Sequence, residues 1–292
     1  MSFAIVTDTS ANLPSPLLAE KDVTVVPFSY FYNEREHTCL DTEAFDGAKY
    51  YGAMRTGLKI RTSQINPQRY DDTIRPLLED GWDVLFIGMS SGISGSYQSA
   101  RIAAQQLRED FPGRRIYTID TLGASLGEGI PVLKAVEYRE QGLSLDETTQ
   151  RIMAMRHRMY QVFVVDDLMH LRSTGRISGA VAIVGTVLQI KPLLKGNEQG
   201  QIVNFAKVRG RRHAIEALAQ KYDALVEHPE DQIVGIAHAD NAEDAEYLAS
   251  LLRKNRPPKE IMTVVYEPVT GSHVGPGTVA LFFEGNSEVR GK

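Results

Sequence analysis

The chain has 292 residues, 42% hydrophobic and 24% charged, an ordinary balance for a globular protein with room for two domains. Its formal net charge of −5 supplies no overall positive field to recruit nucleic acid or an anionic membrane. The single cysteine, Cys39, excludes an internal disulfide or a thiolate metal cluster. The first residues, MSFAIVTD, enter a strand-like run without the basic and long apolar regions of a signal peptide. The longest apolar stretch, Ile177–Ile190, is well short of the roughly 20 residues that span a bilayer, so a cytoplasmic protein without membrane insertion is expected.

In chain order, Phe3–Asp8 and Val23–Phe31 read as buried strands, rich in β-branched and aromatic residues. A helix is expected across EAFDGAKYYGAMRTG, ending at Gly57, and another across PQRYDDTIRPLLEDG, opened by Pro67 and stopped by Gly81. The strand DVLFIGMS, the helix GSYQSARIAAQQLRED and the strand RIYTID follow. Two more helices come next, the second opened by Ser144 with Glu147 as a capping box. This alternation predicts an N-terminal α/β domain, residues 1–160, with a mostly parallel sheet flanked by helices.

Beyond VFVVDD the character changes. An uncharged helix-like run, Ile177–Ile190, precedes a hairpin with its turn near Gly196 and Gly200. Then come the helix RRHAIEALAQKYDALVEH, the strand QIVGIAHAD, the helix NAEDAEYLASLLRKN, the strand IMTVVYEPV, a Gly-rich loop and the strand TVALFFEG. Residues 161–292 are therefore expected to form a second α/β domain with a mixed sheet.

No G-x-x-x-x-G-K-[ST] is present, and no G-x-G-x-x-G joins a first strand to a helix. The Gly-rich stretch TGSHVGPG opens into a strand, so it lacks the helix N-terminus that phosphate loops use. The seven histidines are scattered without H-E-x-x-H spacing, and the adjacent Asp166 and Asp167 read as solvated or capping carboxylates. No metal or cofactor is expected. Asp8 ends the first strand, but the second acid of an aspartyl phosphatase is replaced by Ser10; Asp8 or Ser10 reads as a cap for a helix near Pro14.

The stretch Gly88–Ala100 joins a strand to a helix, at the sheet edge where open α/β folds bind ligands. Its hydroxyls and N–H groups suit an oxygen-anion clamp. A hydrolase fits less well, because Gly92-Ile93-Ser94-Gly95-Ser96 places serine where the second glycine of G-x-S-x-G belongs. Ile60–Tyr70 is a second hydroxyl-rich loop, in which Thr62 and Ser63 alone read as caps. Arg176, at the mouth of the apolar run, is either a surface cation or an anion contact. The run mixes Gly179, Ala180, Ala182 and Gly185 with larger aliphatics, as a core helix or a wall beside an apolar ligand would. Lys207–His213, KVRGRRH, sets cations where a helix dipole disfavours them, as a solvated turn or a docking patch for an acidic partner.

Taken in order, IVTDTSANLP, TSQ, SSGISGSYQSA, YTIDTLGAS, LRSTGRIS, KPLL, KVRG and GSHVGPGTVAL resemble the DegV family of bacterial fatty-acid-binding proteins along nearly the whole chain. The resemblance implies a two-domain α/β protein that holds one long-chain fatty acid between its domains. It also implies presentation of the acyl carboxylate to a separate ATP-dependent fatty acid kinase subunit, for phospholipid synthesis. Carried over by position, Thr62 and Ser63, Ser94, the backbone of Gly95, Arg176 and His273 contact the carboxylate. The apolar run is then expected to wall the acyl chain with Ile177, Ile183, Val184 and Val187, and the dipole-disfavoured Lys207, Arg209 and Arg211 to form the docking patch. TSAN stands where STAD is expected, and RSTGR where KGGR is common; neither removes a carboxylate contact. The carrier then has no chemistry of its own. The alternative is an acyl-ester or thioester hydrolase with Ser94 as nucleophile and His273 as base.

Overall fold

The structure is a computed structural model and describes residues 3–177, 190–286 and 290–291. The chain divides into two compact units. Unit one comprises Met1–Phe45 and Ile60–Arg156; unit two comprises Asp46–Lys59 and His157–Lys292.

In unit one, β1 (Phe3–Asp8) and β2 (Val23–Val26) are followed by β3 (Ser29–Tyr32), β4 (Arg35–His37), β5 (Arg61–Ser63), β6 (Asp83–Gly88) and β7 (Ile116–Asp120). Strands β2-β1-β6-β7 form a four-stranded sheet, parallel throughout, and β4-β3-β5 form a small antiparallel one. Strand β6 is buried along its whole length, as a strand covered on both faces requires. The single strand expected over Val23–Phe31 is two strands in two sheets. Pro27, which has no N–H for a ladder, stands at the break. The loop expected over Ile60–Tyr70 begins as β5, paired with β3.

The helices of the first half are α1 (Ser15–Glu20), α2 (Gly47–Arg55), α3 (Pro67–Glu79), α4 (Ser96–Asp110), α5 (Leu126–Glu140) and α6 (Leu145–Met155); α2 alone belongs to unit two. The capping box of Ser144 and Glu147 opens α6 as expected. Asp8 caps the 3-10 turn Thr9–Ala11 through the Ser10 N–H, whereas α1 starts at Pro14 with no side-chain cap.

Unit two contains β8 (Met159–Val164), α7 (Leu168–Ser173), β9 (Ile190–Gly196), β10 (Ile202–Arg209), α8 (Arg211–Leu225), β11 (Ile233–His238), α9 (Ala242–Asn255), β12 (Glu260–Val265), α10 (Pro268–Val274) and β13 (Val279–Glu284). Its sheet runs β10-β9-β8-β13-β11-β12, with β11 and β12 parallel and the other neighbours antiparallel. In its core, Tyr160 and Tyr222 meet Phe283 edge-on, with ring centroids 5.3 and 5.2 Å apart. The Gly-rich loop expected before β13 is in fact α10. Pro268 takes its first position, and the buried Glu267 carboxylate accepts from the Val269 and Thr270 N–H groups at 2.7 and 2.5 Å. No helix among the described residues is long and apolar enough to cross a membrane.

Candidate functional site

The parallel order of unit one brings the β1, β6 and β7 termini to one edge, where each strand runs into a turn and a helix. Two hydroxyl motifs meet close to that edge. The Ile65 N–H donates to Ser96 Oγ at 3.0 Å, and Ser94 Oγ lies 3.0 Å from Ser96 Oγ and accepts from the Ser96 N–H at 3.2 Å. A methyl group on Gly95 would displace the exposed Gln64 carboxamide, which packs against the glycine. The TSQ segment and the start of α4 are thus tied together, with Ser96 as the knot. Successive side chains of a strand point to opposite faces, and Thr62 and Ser63 are the last two residues of β5. Thr62 is half-buried and Ser63 exposed, which favours Thr62.

The unit-two residues lie on α7, the turn after it, and α10. Asp167 caps α7, as one reading of the acidic pair had it, and Asp166 pairs with Lys191 and Arg211. The His170 Nε2–H donates to the Ser272 carbonyl at 2.7 Å, beside His273. Burial, and then repulsion from Arg176 and His170, pushes the His273 imidazole down to about 3, so it is neutral at physiological pH. Arg176 is half-buried, and burial holds its guanidinium below the ordinary value. It donates to the Thr174 carbonyl, and no carboxylate among the described residues pairs with it.

The remaining expected residues are placed as follows. Ile177 forms an isolated bridge with Ile202, while Ile183, Val184 and Val187 lie outside the described residues. Lys207 and Arg209 are exposed on β10. Arg211 is not a free surface cation. It pairs with Asp244 at 2.6 Å and Asp166 at 3.2 Å, and donates to the Gly277 carbonyl at 2.6 Å. Those partners explain a cation at the start of α8 without any partner protein.

Two features were not anticipated. A buried acid pair, Asp8 and Glu128, is bridged by Ser10. In addition, Gly123-Ala124-Ser125-Leu126-Gly127 fits G-x-S-x-G, and Ser125 holds φ 53° and ψ −139° between β7 and α5. That is the backbone of a nucleophile elbow. Here, however, Ser125 is buried and its Oγ accepts from Asn12 Nδ2 at 3.1 Å. The one histidine in the sequence of unit one, His37, is stacked on Tyr32 with centroids 4.2 Å apart. Among the described residues, the partner of the Ser125 hydroxyl is thus an amide and not a base.

The scaffold is two α/β units, each with its own group of these side chains. The chain belongs to the DegV family, whose model matches residues 2–286. A DegV domain-containing protein of Clostridium perfringens is 35% identical over 287 residues, 98% of each chain. Among solved structures, the fatty-acid-binding DegV family protein of Thermus thermophilus matches with a TM-score of 0.88 at 30% identity, covering 98% of this chain and 100% of that one. The fatty-acid-binding DegV family protein of Streptococcus agalactiae matches with a TM-score of 0.85 at 29% identity, covering 98% and 99%.

Proposed function

We propose that this protein binds one long-chain fatty acid, with Thr62, Ser94, His273 and Arg176 as donors to its carboxylate, and presents that carboxylate to a separate ATP-dependent fatty acid kinase subunit. The observation that carries the reading is Arg176, half-buried beside a neutral imidazole and without a carboxylate partner among the described residues. A buried anion is costly unless several donors meet it, and a guanidinium with an imidazole offers both charge and direction. The fatty-acid-binding relatives, alike over 98% of this chain, support the same ligand class. Phosphoryl transfer belongs to the partner subunit in this reading, in keeping with a sequence that has no phosphate-loop motif.

The protein is expected to purify with a fatty acid, identified by mass spectrometry of an organic extract. Stripping the lipid lowers the melting temperature and adding it back restores it. A ligand at about 100 times its Kd stabilises the native state by about 2.7 kcal/mol. A stripped protein that ignores added fatty acid overturns the reading, and turnover of a chromogenic acyl ester points to the hydrolase instead.

The docking role is tested at Lys207 and Arg209, since Arg211 is already bound within its own unit. Reversing both charges is expected to slow acyl-phosphate formation by the kinase at sub-saturating carrier while leaving fatty-acid affinity unchanged. Equal rates for wild type and the double variant remove the patch from the interface.

A further inference from the structure

The short helix α2 is bounded in sequence on both sides by unit one, yet it packs in unit two, and its buried side chains contact the segment that carries His273. Tyr51 is fully buried and Tyr50 nearly so, with their rings edge to face at 5.2 Å. The Tyr51 hydroxyl donates to the Tyr266 carbonyl at 2.6 Å, and the Tyr50 hydroxyl donates to the Pro268 carbonyl at 2.8 Å. The two acceptors flank Glu267, the cap of α10. At the other end of α2, Arg55 donates to the Asp240 carbonyl at 3.1 Å and pairs with the Asp240 carboxylate, which fixes the helix along its length.

A seven-residue helix such as α10 does not hold itself together in water, so its neighbours set its rotation. Adjacent side chains on a helix diverge by about 100°, and Tyr50 and Tyr51 reach the carbonyls on either side of Glu267, at Pro268 and Tyr266. One attachment is on the first residue of α10 and the other two residues before it, and together they resist rolling where one would act as a pivot. Gly271 completes the fit, because any side chain there would overlap the Tyr51 hydroxyl. His273 follows two residues later, about 200° round the helix, and so projects from the side away from Tyr51.

We propose that Tyr50 and Tyr51 are positioning residues for His273, holding α10 at the rotation in which the imidazole meets the ligand carboxylate. The inference rests on the reading of His273 as a carboxylate donor. It assigns the two phenols no contact with the ligand.

The test is a double-mutant cycle of Tyr51→Phe and His273→Ala, with affinities measured for oleic acid and for methyl oleate. Tyr51→Phe keeps the ring and removes the bond to Tyr266. It is expected to weaken oleic acid binding about five- to tenfold and methyl oleate binding less than about twofold. In the His273→Ala background the same change is expected to do nothing further, because coupled residues are not additive. The His273 ring signals in NMR should also shift in ligand-bound Tyr51→Phe. Equal losses in both backgrounds, or for acid and ester alike, overturn the positioning role. If His273→Ala binds oleic acid as wild type does, the carboxylate reading itself falls, which is a separate result. Tyr50→Phe, which removes the Pro268 bond, carries the same cycle if Tyr51→Phe does not fold.

Discussion

Replacing His273 with alanine is expected to weaken binding of a long-chain fatty acid by about ten- to a hundredfold, and to leave the methyl ester of equal length unaffected. Losing a hydrogen bond to a charged partner costs roughly 1–3 kcal/mol, which sets that range. The fold should survive, since Glu267, His170 and the two tyrosines all hold α10 or the residues next to it through bonds that the substitution leaves in place. The pH dependence follows from the same residue. Free His273 is held down to about 3 by burial and by Arg176 and His170. A bound carboxylate favours the protonated imidazole and raises that value. The complex then holds more protons than the free protein, so affinity rises as pH falls, until the fatty acid itself is protonated. Calorimetry in two buffers of different ionisation enthalpy, stepped down from pH 7, reads this as proton uptake once the pH reaches the raised value, absent from His273→Ala. Equal loss of acid and ester binding would show that the histidine only packs.

The second large effect belongs to unit one. Ser10 Oγ lies 2.6 Å from Asp8 Oδ1 and within bonding distance of Glu128 Oε2, and a hydroxyl has one hydrogen to give. Both contacts are satisfied only if one carboxyl brings its own proton. Asp8 also accepts from the Ser10 N–H at 2.9 Å and the Met89 N–H at 3.3 Å, so it is the better anion. Glu128, which accepts from Thr7 Oγ1 at 3.0 Å, is then the acid. Burial is the main cause that pushes Asp8 up to about 6 and Glu128 well above the carboxylate range; repulsion from Asp8 adds to the Glu128 shift. The nearby Tyr70 phenol, itself buried, is raised as well.

A carboxyl with a raised folded-state value contributes stability that is full below its unfolded value and is lost as pH climbs through the folded one. Unit one should therefore weaken as pH rises from about 4 through 6 and beyond. Glu128→Gln supplies the missing hydrogen permanently. It is expected to stabilise unit one at pH 8 by on the order of 1–3 kcal/mol and to change little at pH 4. Asp8→Asn should destabilise it, because an amide nitrogen would face N–H donors. Trp82, the sole tryptophan, lies in unit one, so its fluorescence during urea unfolding reports the right transition. A Glu128→Gln variant that loses stability equally at both pH values would mean that the pair holds no buried proton.

The parallel sheet of unit one was readable because its strands are short buried runs and its helices carry local stop and start signals, such as Pro67, Gly81 and Ser144. Helix α10 was not, since Gly271 within it, the glycines just after it and its length of seven residues outweighed the Glu267-Pro268 start. Glu128 stands 118 residues from Ser10, and nothing near it in sequence marks it as buried. Arg211 looked misplaced on its helix because Asp166 and Asp244 are 45 and 33 residues away. GASLG, by contrast, is visible as a pattern; what the chain order hides is Asn12 on its hydroxyl. The TSQ and SGISGS motifs were recognised separately, and their meeting through Ser96 is a matter of tertiary packing.

The path of the backbone has a bearing on how the protein is made. The chain leaves unit one at Phe45, returns at Ile60 and leaves again after Arg156. On a ribosome that emits about 5–20 residues per second, unit one is complete about 5–20 seconds before Tyr266 has appeared. Throughout that interval α2 has emerged without the segment that its two tyrosines bond to. The nascent chain thus carries a sticky aromatic pair until Tyr266 and Pro268, near its far end, are synthesised. A stop codon anywhere between Arg156 and Tyr266 would release a fragment with that pair uncovered, a natural target for chaperones and proteases.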